Sequence, residues 1–362
     1  MQKFSRKFVT VLAALALLGA PGAVRAEEPD SVSGEMTMDI TVDAPPGSAL
    51  TRLWVPYPGD NAYQNIRNVR VRGNYQYQGV YREKDTGNLM LYAEWNAPAA
   101  EKPALSLSFT AATTLRSEKG AAQAGSDIPV DIRPFLDSGP HIPTTGKVKE
   151  IADKAAQGRR DIAGKARAVY DWVVDNTFRD PNVTGCGIGD VEKTLAQKGG
   201  KCTDISSVFV AVARAAGVPA REVFGVRTGR DDGVTDMTKG HHCWAEYYLP
   251  GAGWIPVDPA DVRKAMLEKK LDEAGAREYR EKYFQALDPY RIALAAGGRD
   301  FYLNPKQQGG PLNYFMYPYA EVDGKPLEWL AAQKELKFKV TFTKTGQGMA
   351  RDAMCESAPH GG

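Results

Sequence analysis

The stretch 199–219 constrains the fold of this chain more than any other. Two glycines and a lysine precede Cys202, and apolar residues then recur at helical spacing until a glycine and a proline end the pattern. Three strand-like segments follow, at 220–226, 244–249 and 254–257. A helix followed by short strands predicts an α+β domain with a cysteine at the start of its central helix.

Residues 33–110 have a different pattern, in which apolar and polar residues alternate between turns rich in Pro, Gly, Asn and Asp. This pattern predicts a small antiparallel β-sandwich. Helical patterns at 148–156 and 161–176 follow, and Asp190 is placed to cap a third helix. The charged stretch 264–287 predicts a helical excursion over the surface.

We divide the chain accordingly, with a last strand at 335–343. The parts are a signal peptide at 1–26, an N-terminal β-sandwich domain at 27–135, a linker at 136–146, a catalytic domain at 147–343 and a flexible tail at 344–362.

The first segment has the features of a secretory signal. Lys3, Arg6 and Lys7 precede an apolar stretch at 8–20, and small residues end at Ala26, where we predict cleavage. The apolar stretch is short for a retained membrane anchor, which is the alternative. We therefore expect a periplasmic or secreted protein, without stable membrane insertion after cleavage.

Charge argues against nucleic-acid partners. The formal net charge of +2 becomes −2 once the four basic residues of the signal are removed. A nearly neutral chain gives no reason to expect nucleic-acid binding.

The four cysteines are Cys186, Cys202, Cys243 and Cys355. An even number in an exported protein suggests two disulfides. If one of the four is a reactive cysteine outside any disulfide, only three remain, and one of these is left unpaired.

Cys202 has the position of a nucleophile. A helix N-terminus offers free backbone N–H groups and partial positive charge, both of which favour a thiolate. Its own N–H could also stabilise an oxyanion, although no second donor is identifiable. Taken alone, the same cysteine could be structural or half of a disulfide.

Two further motifs supply a base and a carboxylate. His241 and His242 open a strand-like segment in which His242, Trp244 and Glu246 share one face. Asp258 follows His242 by sixteen residues, a spacing that suits a strand, a turn and a returning strand. Such a hairpin brings Asp258 beside His242, where a carboxylate orients the imidazole.

These motifs together resemble the core of the bacterial transglutaminase-like superfamily. The resemblance lies in the runs GGKCTDISSVFVAVARAAGVPAREVFG and HCWAEYYLPGAGWIPVDPAD, and it covers about residues 148–260. It places the family's nucleophile at Cys202, its base at His242 and its orienting acid at Asp258. His242 is preferred to His241 because it stands two residues before Trp244.

The resemblance implies a papain-like α+β core and acyl transfer at amide or peptide carbonyls through a thioester. The substrate would be a protein or peptide, with a cell-wall peptide as one candidate, and the acceptor would be water or an amine. Animal members use calcium, but no D-x-[DN]-x-[DN]-G loop is present, so we expect no metal and no cofactor.

Two other interpretations remain open from the sequence. The chain could be a non-catalytic envelope binding module that retains the fold. It could also hold zinc through Cys202, His241, His242 and Cys243, or through Cys186, although adjacent ligands on a strand diverge. Cys243 should face away from His242 and could pair with Cys186 or Cys355.

Overall fold

The structure is a computed structural model that describes residues 29–96, 101–123, 125 and 127–346. The expected signal peptide and residues 347–362 of the expected tail lie outside the described residues.

Strands and helices alternate irregularly along the chain. The strands are β1 (Ser31–Val42), β2 (Leu50–Pro56), β3 (Gln64–Gly73), β4 (Tyr77–Arg82), β5 (Leu89–Asn96), β6 (Ala104–Thr114), β7 (Arg116–Ser117), β8 (Phe178–Arg179), β9 (Gly199–Gly200), β10 (Ala220–Arg227), β11 (Gly233–Asp236), β12 (His241–Leu249), β13 (Gly253–Val257), β14 (Ala286–Leu287), β15 (Arg291–Ala296), β16 (Tyr319–Val322), β17 (Lys325–Pro326) and β18 (Leu336–Gly346). The helices are α1 (Gly146–Ala155), α2 (Ile162–Asn176), α3 (Val191–Gln197), α4 (Cys202–Ala215), α5 (Pro259–Lys269) and α6 (Glu273–Lys282).

Two antiparallel sheets form the sandwich that the alternation predicts. One has the strand order β11-β18-β1-β6-β3 and the other β17-β16-β2-β5-β4. In the first sheet Met36 lies opposite Phe109, and Met38 lies opposite Leu107. The inward side chains of both sheets belong to one apolar core, so the sandwich closes on hydrophobic burial.

The sandwich also takes strands from the other end of the chain. β18 pairs along most of β1, and β16 pairs with β2. These segments, except for the end of β18, lie within the predicted catalytic domain at 147–343, because periodicity identifies a strand but not its partner. A lone strand lowers its free energy by pairing with an open edge, and β1 supplies that edge.

The α+β core lies between these sandwich strands in sequence. Its sheet has the antiparallel order β13-β12-β10-β15, and α4 packs against β10 and β12. Residues 202–213 of α4 are all buried, because α1, α2, α3 and α5 also pack around it. A helix that is enclosed in this way needs the apolar residues that follow Cys202.

Helix caps explain most helix boundaries. Asp161 accepts from the Gly164 N–H at the start of α2, and Asp190 accepts from the Lys193 N–H at the start of α3. The expected helical excursion at 264–287 is helical up to Lys282 and ends in β14. It divides into two helices, because Lys270 adopts a left-handed conformation (φ 52°) and Asp272 caps α6.

The longest helix among the described residues is α2, with 15 residues. No helix in this part of the chain is both long and apolar enough to cross a bilayer.

The pairing of β18 with β1 predicts the effect of a core truncation. Phe342 is fully buried opposite Met36. We expect Phe342→Ala to lower the free energy of unfolding by about 3–5 kcal/mol, because it leaves a cavity in the sandwich. Urea denaturation measures this loss. Lys339→Ala on the exposed face of the same strand is the control, and equal effects from both variants would contradict the assignment.

Candidate active site

The N-terminus of α4 holds Cys202 in a fixed environment. Asp204 caps the helix by accepting from the Lys201 N–H (2.9 Å) and the Gly189 N–H (2.8 Å). The Thr203 N–H donates to the Cys186 carbonyl at 2.9 Å. Among the described residues the Cys202 N–H has no hydrogen-bond acceptor, so it is available to a ligand.

Gly200 shows why a glycine precedes this turn. A Cβ at this position would lie 2.3 Å from the Cβ of Asp204. Any larger residue would therefore displace the cap of α4, which explains the glycine by the packing of the protein itself.

The structure places His242 and Asp258 together. The β12–β13 hairpin pairs Ala245 with Val257, so Asp258 returns beside the beginning of β12. The distance from His242 Nε2 to Asp258 Oδ2 is 2.7 Å. Both side chains are buried, His242 at 4% and Asp258 at 0% exposure.

Cys202 contacts the same histidine. Burial alone would raise the pKa of the Cys202 thiol, but hydrogen bonds with Cys186, Cys243 and His242 hold it well below its usual range. Burial and Arg227 act to lower the pKa of His242, yet Asp261 and Asp258 raise it above its ordinary value. Both shifts favour a thiolate beside an imidazolium.

His241 lies in a different environment. It packs against Tyr317 (4.6 Å between ring centroids) and Phe338 (5.5 Å). Burial lowers its pKa to about 4, so the ring is neutral at physiological pH. The two adjacent histidines therefore differ in both charge and partner.

Three thiols meet at the helix start. Cys186 and Cys243 both hydrogen-bond with Cys202, and all three are buried and free. The suggested Cys186–Cys243 disulfide is wrong, and Cys355 lies outside the described residues. The one S–H of each flanking thiol has an alternative acceptor, the His241 carbonyl (3.1 Å) for Cys186 and Thr203 Oγ1 (3.3 Å) for Cys243.

Sequence reasoning missed an ion network behind Asp258. Arg291 of β15 donates to Asp258, Asp261 and Asp288, and Arg227 of β10 donates to Asp261. No motif identifies Arg291 or Arg227, because both belong to strands whose pairing brings them to the site. The Asp261 position in the run DPAD, three residues after Asp258, is the one signal that the sequence contains.

The geometry also bears on metal binding. Among the described residues, His242, Asp258 and Asp261 alone form a group whose possible ligand atoms lie within 4.8 Å of one another. The set Cys202, His241, His242 and Cys243 considered for zinc is not so grouped. Two guanidinium groups already bind Asp258 and Asp261, and their positive charge opposes a cation at the same place.

Glu246 connects the core to the first part of the chain. It binds Arg221 and Arg116, the latter from β7, and these arginines lower the pKa of the buried Glu246 to about 2 against the effect of burial. The three residues line a cavity of about 260 Å³ together with Trp244 and Trp254. The cavity lies on the face of β12 that also presents His242.

Comparisons with known proteins give a family. The family model described as the transglutaminase-like superfamily matches residues 149–259. An uncharacterized protein of Haemophilus influenzae is 39% identical over 86% of this chain and 91% of its own length. A protein-glutamine gamma-glutamyltransferase of Pseudomonas aeruginosa is 32% identical, but over 28% of this chain and 16% of its own length.

A solved structure supports the fold. A candidate cysteine protease of Cytophaga hutchinsonii superposes with a TM-score of 0.52, covers 88% of this chain and 99% of its own, and is 16% identical. At that identity the likeness concerns the fold alone.

The thiol cluster predicts how Cys202 reacts. We expect Cys186→Ala to raise the pKa of Cys202, because it removes one of the hydrogen bonds that favour the thiolate. Iodoacetamide labelling at pH 6 should then slow by roughly tenfold, the equivalent of about 1.4 kcal/mol. Peptide mapping identifies the labelled residue. Unchanged labelling with an intact fold would show that Cys186 does not influence the thiolate.

Proposed function

The chain belongs to the transglutaminase-like superfamily through its core, and on that premise we propose that it is an exported cysteine enzyme. It cleaves or transfers at amide or peptide carbonyls, with Cys202 as nucleophile, His242 as acid and base and Asp258 as orienting acid. The observation that carries the proposal is the contact of one buried imidazole with Cys202 on one side and Asp258 Oδ2 at 2.7 Å on the other.

The chemistry follows from the protonation states. Because Nε2 of His242 bonds to Asp258, Nδ1 is the ring nitrogen left for Cys202. The Cys202 thiolate attacks the carbonyl carbon, and the oxyanion that forms is within reach of the Cys202 N–H. The imidazolium then gives its proton to the leaving amine as the C–N bond breaks, and a thioester remains.

The second half-reaction regenerates the enzyme. His242 takes a proton from water or from an amine, which attacks the thioester carbonyl. The C–S bond breaks and Cys202 leaves as the thiolate. Water gives a carboxylic acid, whereas an amine gives a new amide.

The substrate and location are part of the proposal. We infer a peptide or protein substrate in the periplasm or outside the cell, with a cell-wall peptide as one candidate, because the sequence begins with features of a secretory signal. The cavity beside Trp244 and Glu246 supplies aromatic surface and guanidinium groups for a peptide.

One observation favours the alternative of a non-catalytic module. Cys202 is only 2% exposed, so a substrate reaches its sulfur only if covering side chains move. Turnover distinguishes the two functions.

We expect Cys202→Ala to abolish release of ammonia or cleavage from glutamine-containing and other peptide substrates, because it removes the nucleophile. Thioester trapping with hydroxylamine and mass spectrometry detect the intermediate in the native protein. Lys193→Ala on the exposed side of α3 is the control and should retain activity. A wild-type protein that turns over none of these substrates and forms no thioester would support the binding module.

Turnover should depend on pH through both shifted groups. The reactive pair gains population as pH rises past the lowered pKa of Cys202 and loses it as pH rises past the raised pKa of His242. We therefore expect a bell-shaped profile of kcat/KM whose acid limb lies below the ordinary thiol pKa of about 8.5. A single rise near pH 8.5 would contradict the ion pair.

A further inference from the structure

Arg291 occupies an unusual position for a buried arginine. The residue is 6% exposed, and its guanidinium lies 2.5 Å from Asp258 Oδ2, 2.7 Å from Asp261 Oδ2 and 3.1 Å from Asp288 Oδ2. Two different nitrogens make the first two contacts, Nη1 with Asp258 and Nη2 with Asp261. A planar guanidinium therefore holds two carboxylates in a fixed relation.

Both of these carboxylates face His242. Its Nε2 lies 2.7 Å from Asp258 Oδ2 and 3.7 Å from Asp261 Oδ1. The oxygen of Asp258 that accepts from the imidazole is the same atom that accepts from Arg291. A displacement of Arg291 would thus be transmitted directly to the partner of the base.

Aromatic rings restrict the guanidinium further. It lies 5.4 Å from the ring centroid of Tyr283 and 5.7 Å from that of Trp244. The Asp258 Oδ1 atom is held separately, by the Asp261 N–H at 2.9 Å. Both oxygens of Asp258 therefore have fixed donors besides His242.

The carboxylates and guanidinium groups around His242 have a net negative charge, which favours a protonated imidazole. The charged or titratable groups that face it or its carboxylate partners are Arg227 from β10, Asp258 and Asp261 at the start of α5, Tyr283 after α6, Asp288, Arg291 from β15, and Cys202 from α4. Without Cys202, two guanidinium groups and three carboxylates leave one negative charge, which an imidazolium neutralises; a Cys202 thiolate brings the set to one net negative charge. Buried charges require this compensation.

We propose that Arg291 is a positioning residue that fixes Asp258 and Asp261 around Nε2 of His242. It does so through a two-armed contact, in which one guanidinium nitrogen binds Asp258 and another binds Asp261. It touches neither Cys202 nor the reacting carbonyl and acts through Asp258. The inference rests on the proposed function, and it adds Asp261 as a second carboxylate that faces the base.

The decisive variant is Arg291→Lys, which keeps the charge but cannot make the two-armed contact. We expect kcat to fall about tenfold, because the base loses orientation. The comparison uses kcat and not KM, since Arg291 also lines the cavity assigned to a peptide. The midpoint of Cys202 alkylation by iodoacetamide should also move up by about one pH unit. A merely structural arginine would change stability without moving this midpoint.

The matched control is Arg52→Lys. Arg52 is a half-buried arginine that binds a buried carboxylate, Glu321, and it lies in the sandwich. We expect it to change stability by an amount comparable to Arg291→Lys, with the wild-type alkylation midpoint and kcat. Circular dichroism and thermal melting monitor the fold of both variants.

A second variant tests the proposal if Arg291→Lys does not fold. Arg291→Gln combined with Asp288→Asn removes one charge of each sign, so the local balance is kept while the two-armed contact is lost. The same fall in kcat and the same shift of the alkylation midpoint support the proposal. A wild-type midpoint in either folded variant overturns it.

The two proposals fail in different ways. A wild-type protein that alkylates at low pH but turns over no substrate contradicts the enzymatic function, while the alkylation shift in Arg291→Lys still supports the positioning role. A wild-type Cys202 with the alkylation profile of an ordinary thiol contradicts the positioning role as well.

Discussion

Burial of charge is the constraint on which the rest of this structure depends. A helix whose residues 202–213 are all buried presents Cys202 to an imidazole that is buried as well. Charged forms of these groups are expensive there unless neighbouring charges and hydrogen bonds compensate them. The arginines, the aspartates and the two flanking thiols provide that compensation, so the polar residues around α4 form one electrostatic unit.

The sandwich takes part in this arrangement. Arg116 of β7 reaches Glu246 on the strand that carries His242, and Thr113 of β6 donates to the Pro289 carbonyl two residues before Arg291. Gln64 of β3 bonds the Ala293 backbone through both ends of its amide, at 3.0 and 2.7 Å. These contacts fix β12 and β15 relative to the first sheet, and so the site is supported from outside its own domain.

Patterns among residues close in sequence predict much of the fold and of the candidate site. The apolar period after Cys202, the cap at Asp190 and the His242–Asp258 spacing each depend on neighbours in sequence, so they predict a helix, a helix start and a hairpin. The partners of β18 and the approach of Arg291 depend on pairing between distant segments, which periodicity does not encode. The two free thiols were missed for a similar reason, since an even number of cysteines says nothing about their distances.

The pairing of β18 with β1 has a consequence for the order of assembly. The segment that contains Cys202, His242 and Asp258 lies in sequence between strands of the sandwich. One edge of β1, the central strand of the first sheet, stays unpaired until residues 336–346 pair with it. A nascent or truncated chain that lacks them exposes the backbone of a twelve-residue strand, a template for pairing with other chains. The pairing of β1 on this side therefore depends on a segment that lies about three hundred residues away in sequence.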